Sequence, residues 1–142
     1  MTYDLGVSAG NYGGYSYTEL NLGLNWYLAR FLNWRNAVFS RFGSQIDSAS
    51  GLDTSMRLEY RESSDDGDFG IHLFGGPGYR IASKTNSAAF LEGGAIFRFG
   101  GFSLGAGVKT FSYAQPGKDI NGQELPRQDT NYFLIISGGG AI

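Results

Sequence analysis

A chain of 142 residues with no cysteine and a net charge of −2 is one domain, without a disulfide framework or thiolate metal site and without a basic footprint for nucleic acid. Its 23 glycines, 11 Phe and 9 Tyr suit strands and turns rather than helices. No apolar run approaches the ~18 residues of a transmembrane helix. The mean hydropathy of −0.20 is uninformative, because strands that alternate between two environments average out.

The opening MTYDLGVSAG has neither a basic n-region nor an apolar h-region and reads directly as a strand. For an exported chain the expectation is a mature form, with Met1 standing where a signal was removed. Eight alternating segments follow one another. The first is Thr2–Asn11, with Tyr3, Leu5, Val7 and Ala9 opposite Asp4, Gly6, Ser8 and Gly10. The second, Tyr17–Leu28, is the most regular: Leu20, Leu22, Leu24 and Trp26 on one face, Glu19, Asn21, Gly23 and Asn25 on the other. The third runs from about Leu32 to Gln45 and has ambiguous facing, since Arg35, Arg41 and Gln45 share a side with Phe39. The fourth, Leu52–Arg61, sets Met56, Leu58 and Tyr60 against Asp53, Arg57, Glu59 and Arg61. Phe69–Gly76 sets Ile71 and Leu73 against His72 and Phe74. Ala88–Phe99 carries Glu92 and Arg98 on its polar side, and Phe102–Tyr113 carries Lys109 there. The eighth segment is Thr130–Ile142, also of ambiguous facing.

The links alternate in kind. RFGGF, SSDDGD and the connection near Leu28–Phe31 are tight, whereas NYGGYSY, IDSASG, GPGYRIASKTNS and AQPGKDINGQELPRQD read as longer loops. Short links after even strands and long ones after odd strands are the pattern of an up-and-down barrel. The polar face mixes small residues with charges that nearly balance, Asp4, Glu19, Asp53, Glu59 and Glu92 against Arg57, Arg61, Arg98 and Lys109. A narrow lumen needs both properties, because enclosed charges have to be paired. Aromatic residues at the ends of the apolar faces, Trp26, Trp34, Tyr60 and Phe102 among them, match interfacial girdles. A soluble barrel or sandwich would share the alternation but not this polar face.

These features predict a single all-β domain over 1–142: an eight-stranded antiparallel up-and-down transmembrane β-barrel with its leucines toward lipid. In strand number, alternation, turn parity and length, the chain resembles the small eight-stranded outer-membrane barrels of Gram-negative bacteria, of the OmpA transmembrane-domain and OmpX type. That resemblance implies the bacterial outer membrane, with outer-membrane lipid as the surrounding partner. The chain departs from it at its last residue, where such barrels carry an aromatic and this one ends SGGGAI.

Candidate chemistry is sparse. His72 in FGIHLFGG is the single histidine. Small-barrel lipid A deacylases, which share this size and fold, use a His, a Ser two residues away and an acid on the lipid-facing wall. Here Phe74 takes the serine position and alternation turns His72 inward, so an interior, hydrogen-bonded histidine is expected. Glu19, Arg57, Glu59, Glu92, Arg98 and Lys109 are expected to form a lumen charge network rather than a paired-carboxylate site. DINGQE lacks the spacing and flanking helices of a calcium loop and reads as a polar, mobile surface loop. GGPG is a strand exit, not a phosphate cradle. Gly93, Ala95, Ala106, Gly138 and Gly140 form a small-residue outer face suited to a homo-oligomer. The expectation is a barrel with a structural or interaction role through loops or outer wall, no cofactor, no metal and no enzymatic activity. The alternatives are a lipid A-modifying enzyme and a narrow pore.

Overall fold

The computed structural model describes residues 1–65, 68–83 and 86–138. Eight strands form a closed antiparallel barrel: β1 (Thr2–Tyr12), β2 (Tyr15–Ala29), β3 (Leu32–Gly43), β4 (Ala49–Ser63), β5 (Phe69–Ala82), β6 (Ala88–Phe99), β7 (Phe102–Tyr113) and β8 (Gln128–Gly138). Each strand pairs with its sequence neighbour, and β8 closes on β1 from Leu5↔Ile136 to Gly10↔Asn131. Among the described residues every strand has a hydrogen-bonded neighbour on both sides, as a sheet in lipid requires.

Alternation decides the facing. Leu20 and Leu22 are each 50% exposed on the outer wall, while Glu19, next to Leu20 on the opposite side of the pleat, is 2% exposed. The outer wall is apolar on every strand, from Leu5 and Val7 on β1 to Leu134 and Ile136 on β8. The ambiguous third strand puts Arg35, Phe39 and Arg41 inward together; Gln45 lies beyond its end. Arginine and aromatic share the lumen because the ring takes the guanidinium: Arg80 stands 3.7 Å from the Phe39 centroid.

The strands outrun their expected limits at the end opposite the termini. NYGGYSY is not a longer loop: Tyr12 pairs with Tyr15 across a two-residue turn, Gly13–Gly14, with φ of 61° and 90°. Two consecutive positive φ values are what a tight hairpin needs and what glycine supplies without strain. Most of GPGYRIASKTNS is strand as well, since β5 runs on to Ala82. Pro77 sits inside β5, and the β4 ladder passes from Ser55↔Gly78 to Leu58↔Gly75 around it. At the adjoining Gly76 the backbones come so close that a Cβ would strike the Met56 carbonyl oxygen.

The lumen is filled in layers. At the loop end, Tyr12, Tyr17, Ile46, Phe90, Phe111, Tyr113 and Leu125 form a buried cluster. The 114–127 connection folds down over it: Asp119 bridges to Ile46, and Leu125 N donates to Gly117 O at 2.7 Å. DINGQE is therefore an ordered cap rather than a mobile loop. Asp119 Oδ1 accepts from the backbone N–H of Asn121 and of Gln123, both at 2.8 Å, and Oδ2 accepts from Tyr15 Oη at 3.0 Å. Charged groups fill the middle. Toward the end carrying the chain termini, Phe74, Phe133, Ile135 and Ile96 form a second apolar layer.

Candidate functional site

The central charges form one continuous chain of ion pairs. Arg41 Nε reaches Glu19 at 2.9 Å; Arg80 grips Glu19 at 2.6 Å and Asp53 at 2.7 Å; Lys109 Nζ meets Asp53 at 2.9 Å; Arg57 binds Glu92 through two bonds of 2.9 Å. Lys109 lies 3.8 Å from Glu92, which joins the two halves. Beside this chain, Arg35 pairs with Asp4 at 2.5 Å. Of the six residues expected in a lumen network, Glu19, Arg57, Glu92 and Lys109 stand in it. Glu59 stands apart, nearer the termini, and Arg98 is exposed at the barrel mouth. Arg80 is the residue that sequence reasoning passed over: the Tyr79–Arg80–Ile81 alternation was there, but the preceding proline and glycines hid it.

At the terminal end the lumen opens into a vestibule of about 250 Å³. Asp4, Asn25, Asn33, Arg57 and Glu59 line its inner part, and Tyr27, Arg61, His72, Arg98 and Ser137 line it toward the mouth. The pairing Arg61↔His72 and Glu59↔Phe74 in the β4–β5 hairpin brings the histidine to the carboxylate. His72 Nε2 lies 2.8 Å from Glu59 Oε2, with the imidazole 19% exposed and the carboxylate 2%. Glu59 Oε2 also takes Arg61 Nη2, and Glu59 Oε1 accepts from Asn33 Nδ2 at 2.7 Å. Arg61 Nε is 3.4 Å from His72 Nε2, too far to compete with the carboxylate. The Nε2 proton is accordingly assigned to the Glu59 bond, which leaves Nδ1 as the basic nitrogen. Arg61 is held from behind by the Tyr27 ring, 4.2 Å from its guanidinium carbon.

A histidine oriented by a buried carboxylate, at the wall of an open cavity and beside guanidinium groups, is equipped for general-base chemistry. The expected interior histidine is thus in place, but it is not sealed. Among the described residues no cluster of three or more His, Asp or Glu side chains is arranged to hold a metal ion.

The small-residue outer face is only partly assembled. Ala95 pairs directly with Ala106, and Gly93 lies two residues along β6 opposite Val108. On β8, however, the outer wall is bulky, with Tyr132, Leu134 and Ile136 all exposed. Gly138 ends β8 and pairs with Phe102, and Gly140 lies outside the described residues.

No protein-family model and no curated protein matches the chain. Among solved structures, the barrel is similar to the crystal structure of the outer membrane enzyme PagL, with a TM-score of 0.64 and 17% identity over 94% of this chain and 97% of that one. The likeness is one of fold, and it makes this chain a small outer-membrane-type barrel. It also overturns the expectation of a barrel without enzymatic activity: the same architecture, matched over nearly its whole length, is that of an enzyme. That expectation looked for a catalytic histidine on the outer wall and weighed the lumen carboxylates only as an ion-pair network or a paired site, without His72 among them.

Proposed function

We propose that this chain is a lipid-modifying enzyme of the bacterial outer membrane, with His72 as general base and Glu59 as the carboxylate that orients it. The observation that carries this reading is the 2.8 Å His72–Glu59 contact in the wall of an open vestibule. His72 is the single histidine, so imidazole chemistry in this chain runs through the vestibule and not through the outer wall. The terminal end faces the periplasm in barrels of this kind, where short turns lie. Lipid headgroups of that leaflet sit at the level of the mouth.

The chemistry is hydrolysis. His72 Nδ1 takes a proton from water as the water oxygen bonds to the ester carbon or phosphorus. The charge that develops on the ester oxygen lies beside Arg61 and Arg98. The ester bond to the alcohol oxygen then breaks, and the imidazolium returns its proton to the departing alcohol. One ester and one water give one acid and one alcohol, and Glu59 stabilises the transient imidazolium.

The test is mass-spectrometric product release from the purified barrel in mixed micelles with phospholipid or lipid A. His72→Asn is expected to lose ~100-fold or more in turnover, the usual worth of a positioned general base, and Glu59→Gln to lose a similar amount. Wild-type protein inert on both lipids, or a fully active His72→Asn variant, overturns the proposal.

A second role, contact with a partner outside the cell, is supported by the cap. The 114–127 connection is fastened to the barrel yet holds Ile120 out at 71% exposure. The two roles use opposite ends of the molecule.

A further inference from the structure

The apolar outer wall is broken at mid-height on β3. Leu32, Trp34, Asn36, Val38, Ser40 and Phe42 alternate with the buried residues of that strand and so face outward. Asn36 is the third of the six, roughly 10 Å above the Leu32 end once strand rise and barrel tilt are allowed for. An apolar band ~25 Å tall then leaves it well away from either interface. Its strand partners are Leu24 on β2 and Thr54 on β4. The surroundings do not satisfy this amide. Among the described residues its side chain makes no hydrogen bond. Trp34 Nε1 donates to Thr54 Oγ1 at 2.9 Å, so that indole is spent. The Thr54 hydroxyl hydrogen has the reach to serve Asn36 Oδ1 at most, and both hydrogens of Nδ2 remain. Hydrocarbon offers no acceptor, and the ester and phosphate oxygens of lipid lie at the interfaces. A polar group stranded in that medium costs free energy until it finds a partner.

We infer that the β2–β4 wall is the interface of a homodimer, in which Asn36 of each copy donates an Nδ2 hydrogen to Oδ1 of the other. The choice of partner follows from the chemistry of the group. A carboxamide has one donor side and one acceptor side, so it complements a copy of itself. A twofold axis along the membrane normal pairs the two amides reciprocally and keeps the termini of both copies on one side of the bilayer. Leu22 and Val38, 50% and 56% exposed, and Met56 lie around Asn36 on the same wall. They supply the packing on which association within lipid depends. This is not the small-residue face of β6–β8: in a ring of eight strands, β3 and β7 stand on opposite walls. The dimer does not depend on the enzymatic reading, since the vestibule lies inside the barrel.

The chain has no cysteine, so a single introduced thiol reports on contact. Val38→Cys puts that thiol beside Asn36, and Val108→Cys puts it on the opposite wall; both side chains face outward. Each purified variant is reconstituted at low density in phosphatidylcholine vesicles and treated with a short bis-maleimide. Val38→Cys is expected to form cross-linked dimer at least about tenfold faster than Val108→Cys, the combined worth of two hydrogen bonds between membrane-embedded side chains. Adding Asn36→Leu to Val38→Cys is expected to bring the rate down to that of Val108→Cys. Leucine suits the outer wall, so the double variant is expected to keep the heat-modifiable gel mobility of a folded barrel. Equal cross-linking at the two walls, or cross-linking at Val38→Cys that Asn36→Leu leaves unchanged, overturns the inference. So does a Val38→Cys protein that cross-links to another envelope protein in whole cells but not to itself when pure.

Discussion

Arg80 and Glu19 stand 61 residues apart in the chain and meet in the lumen through two hydrogen bonds, Nη1–Oε2 at 2.6 Å and Nη2–Oε1 at 2.9 Å. The same guanidinium holds Asp53 through two more. One cation thus answers two buried carboxylates. Arg80→Met leaves Glu19 to Arg41 alone and Asp53 to Lys109 alone, and is expected to cost ~3–5 kcal/mol. Urea unfolding in lipid vesicles measures the loss.

A filled lumen predicts a closed one. Arg57, Phe74, Arg80, Glu92, Lys109 and Phe111 project into an interior that, with eight strands, is only wide enough for side chains. Planar-bilayer recordings of the pure protein are expected to show no steady open-channel current. Stable conductance would mean that the ion-pair chain parts in the membrane.

Acid should loosen the cap at Asp119. The backbone N–H of Gln123 is the largest of the influences that hold the Asp119 carboxyl below the usual carboxylate range, and Tyr15 and the N–H of Asn121 add to it. A lowered folded-state value means the stabilisation is present above the ordinary aspartate pKa of ~3.9 and is lost as pH falls through the lowered one. The protection of the Asn121 and Gln123 amides, measured relative to the intrinsic exchange rate, is expected to fall below pH ~4 in the wild type and to show no such fall in Asp119→Asn.

Two glycines with the same side chain should respond differently to one methyl. Gly76→Ala drives a Cβ into the Met56 carbonyl and is expected to cost ~1–3 kcal/mol, as overpacking does. Gly101→Ala, in the β6–β7 turn, meets nothing within 4 Å and is expected to stay within ~0.5 kcal/mol of wild type. Equal losses would show that turn entropy, not the β4–β5 approach, governs these sites.

What sequence could and could not reveal follows from the range of each interaction. The alternation of β2 is local, so Leu20, Leu22 and Glu19 declare their faces without a partner. Proline weighs against a central strand, and β5 was cut short at Gly76 for that reason. The rule yields here because Pro77 pairs with Leu91 on the β6 side while the β4 ladder skips it. Gly13–Gly14 could have been read as a tight turn; flanking tyrosines of like kind gave no sign of where the strands stopped. The vestibule was out of reach for another reason. His72 was correctly turned inward, but its place beside Glu59 depends on the register of the β4–β5 hairpin, and Asn33 arrives from β3. A shift of one residue in that register would have sent His72 to the lipid.

The ion-pair chain also constrains how the molecule is made. Arg41, Glu19, Arg80, Asp53, Lys109, Glu92 and Arg57 come from the six consecutive strands β2 to β7. No single hairpin is self-sufficient: β2–β3 keeps Glu19 with Arg41 but brings Arg35 without Asp4, β4–β5 keeps Asp53 with Arg80 but brings Arg57 without Glu92, and β6–β7 brings Glu92 and Lys109 without Arg57 or Asp53. A hairpin that entered the bilayer alone would carry bare charge into hydrocarbon. Insertion one hairpin at a time is therefore penalised at every step but the last, and the sheet is driven to curl and close at the membrane surface before it descends as a whole.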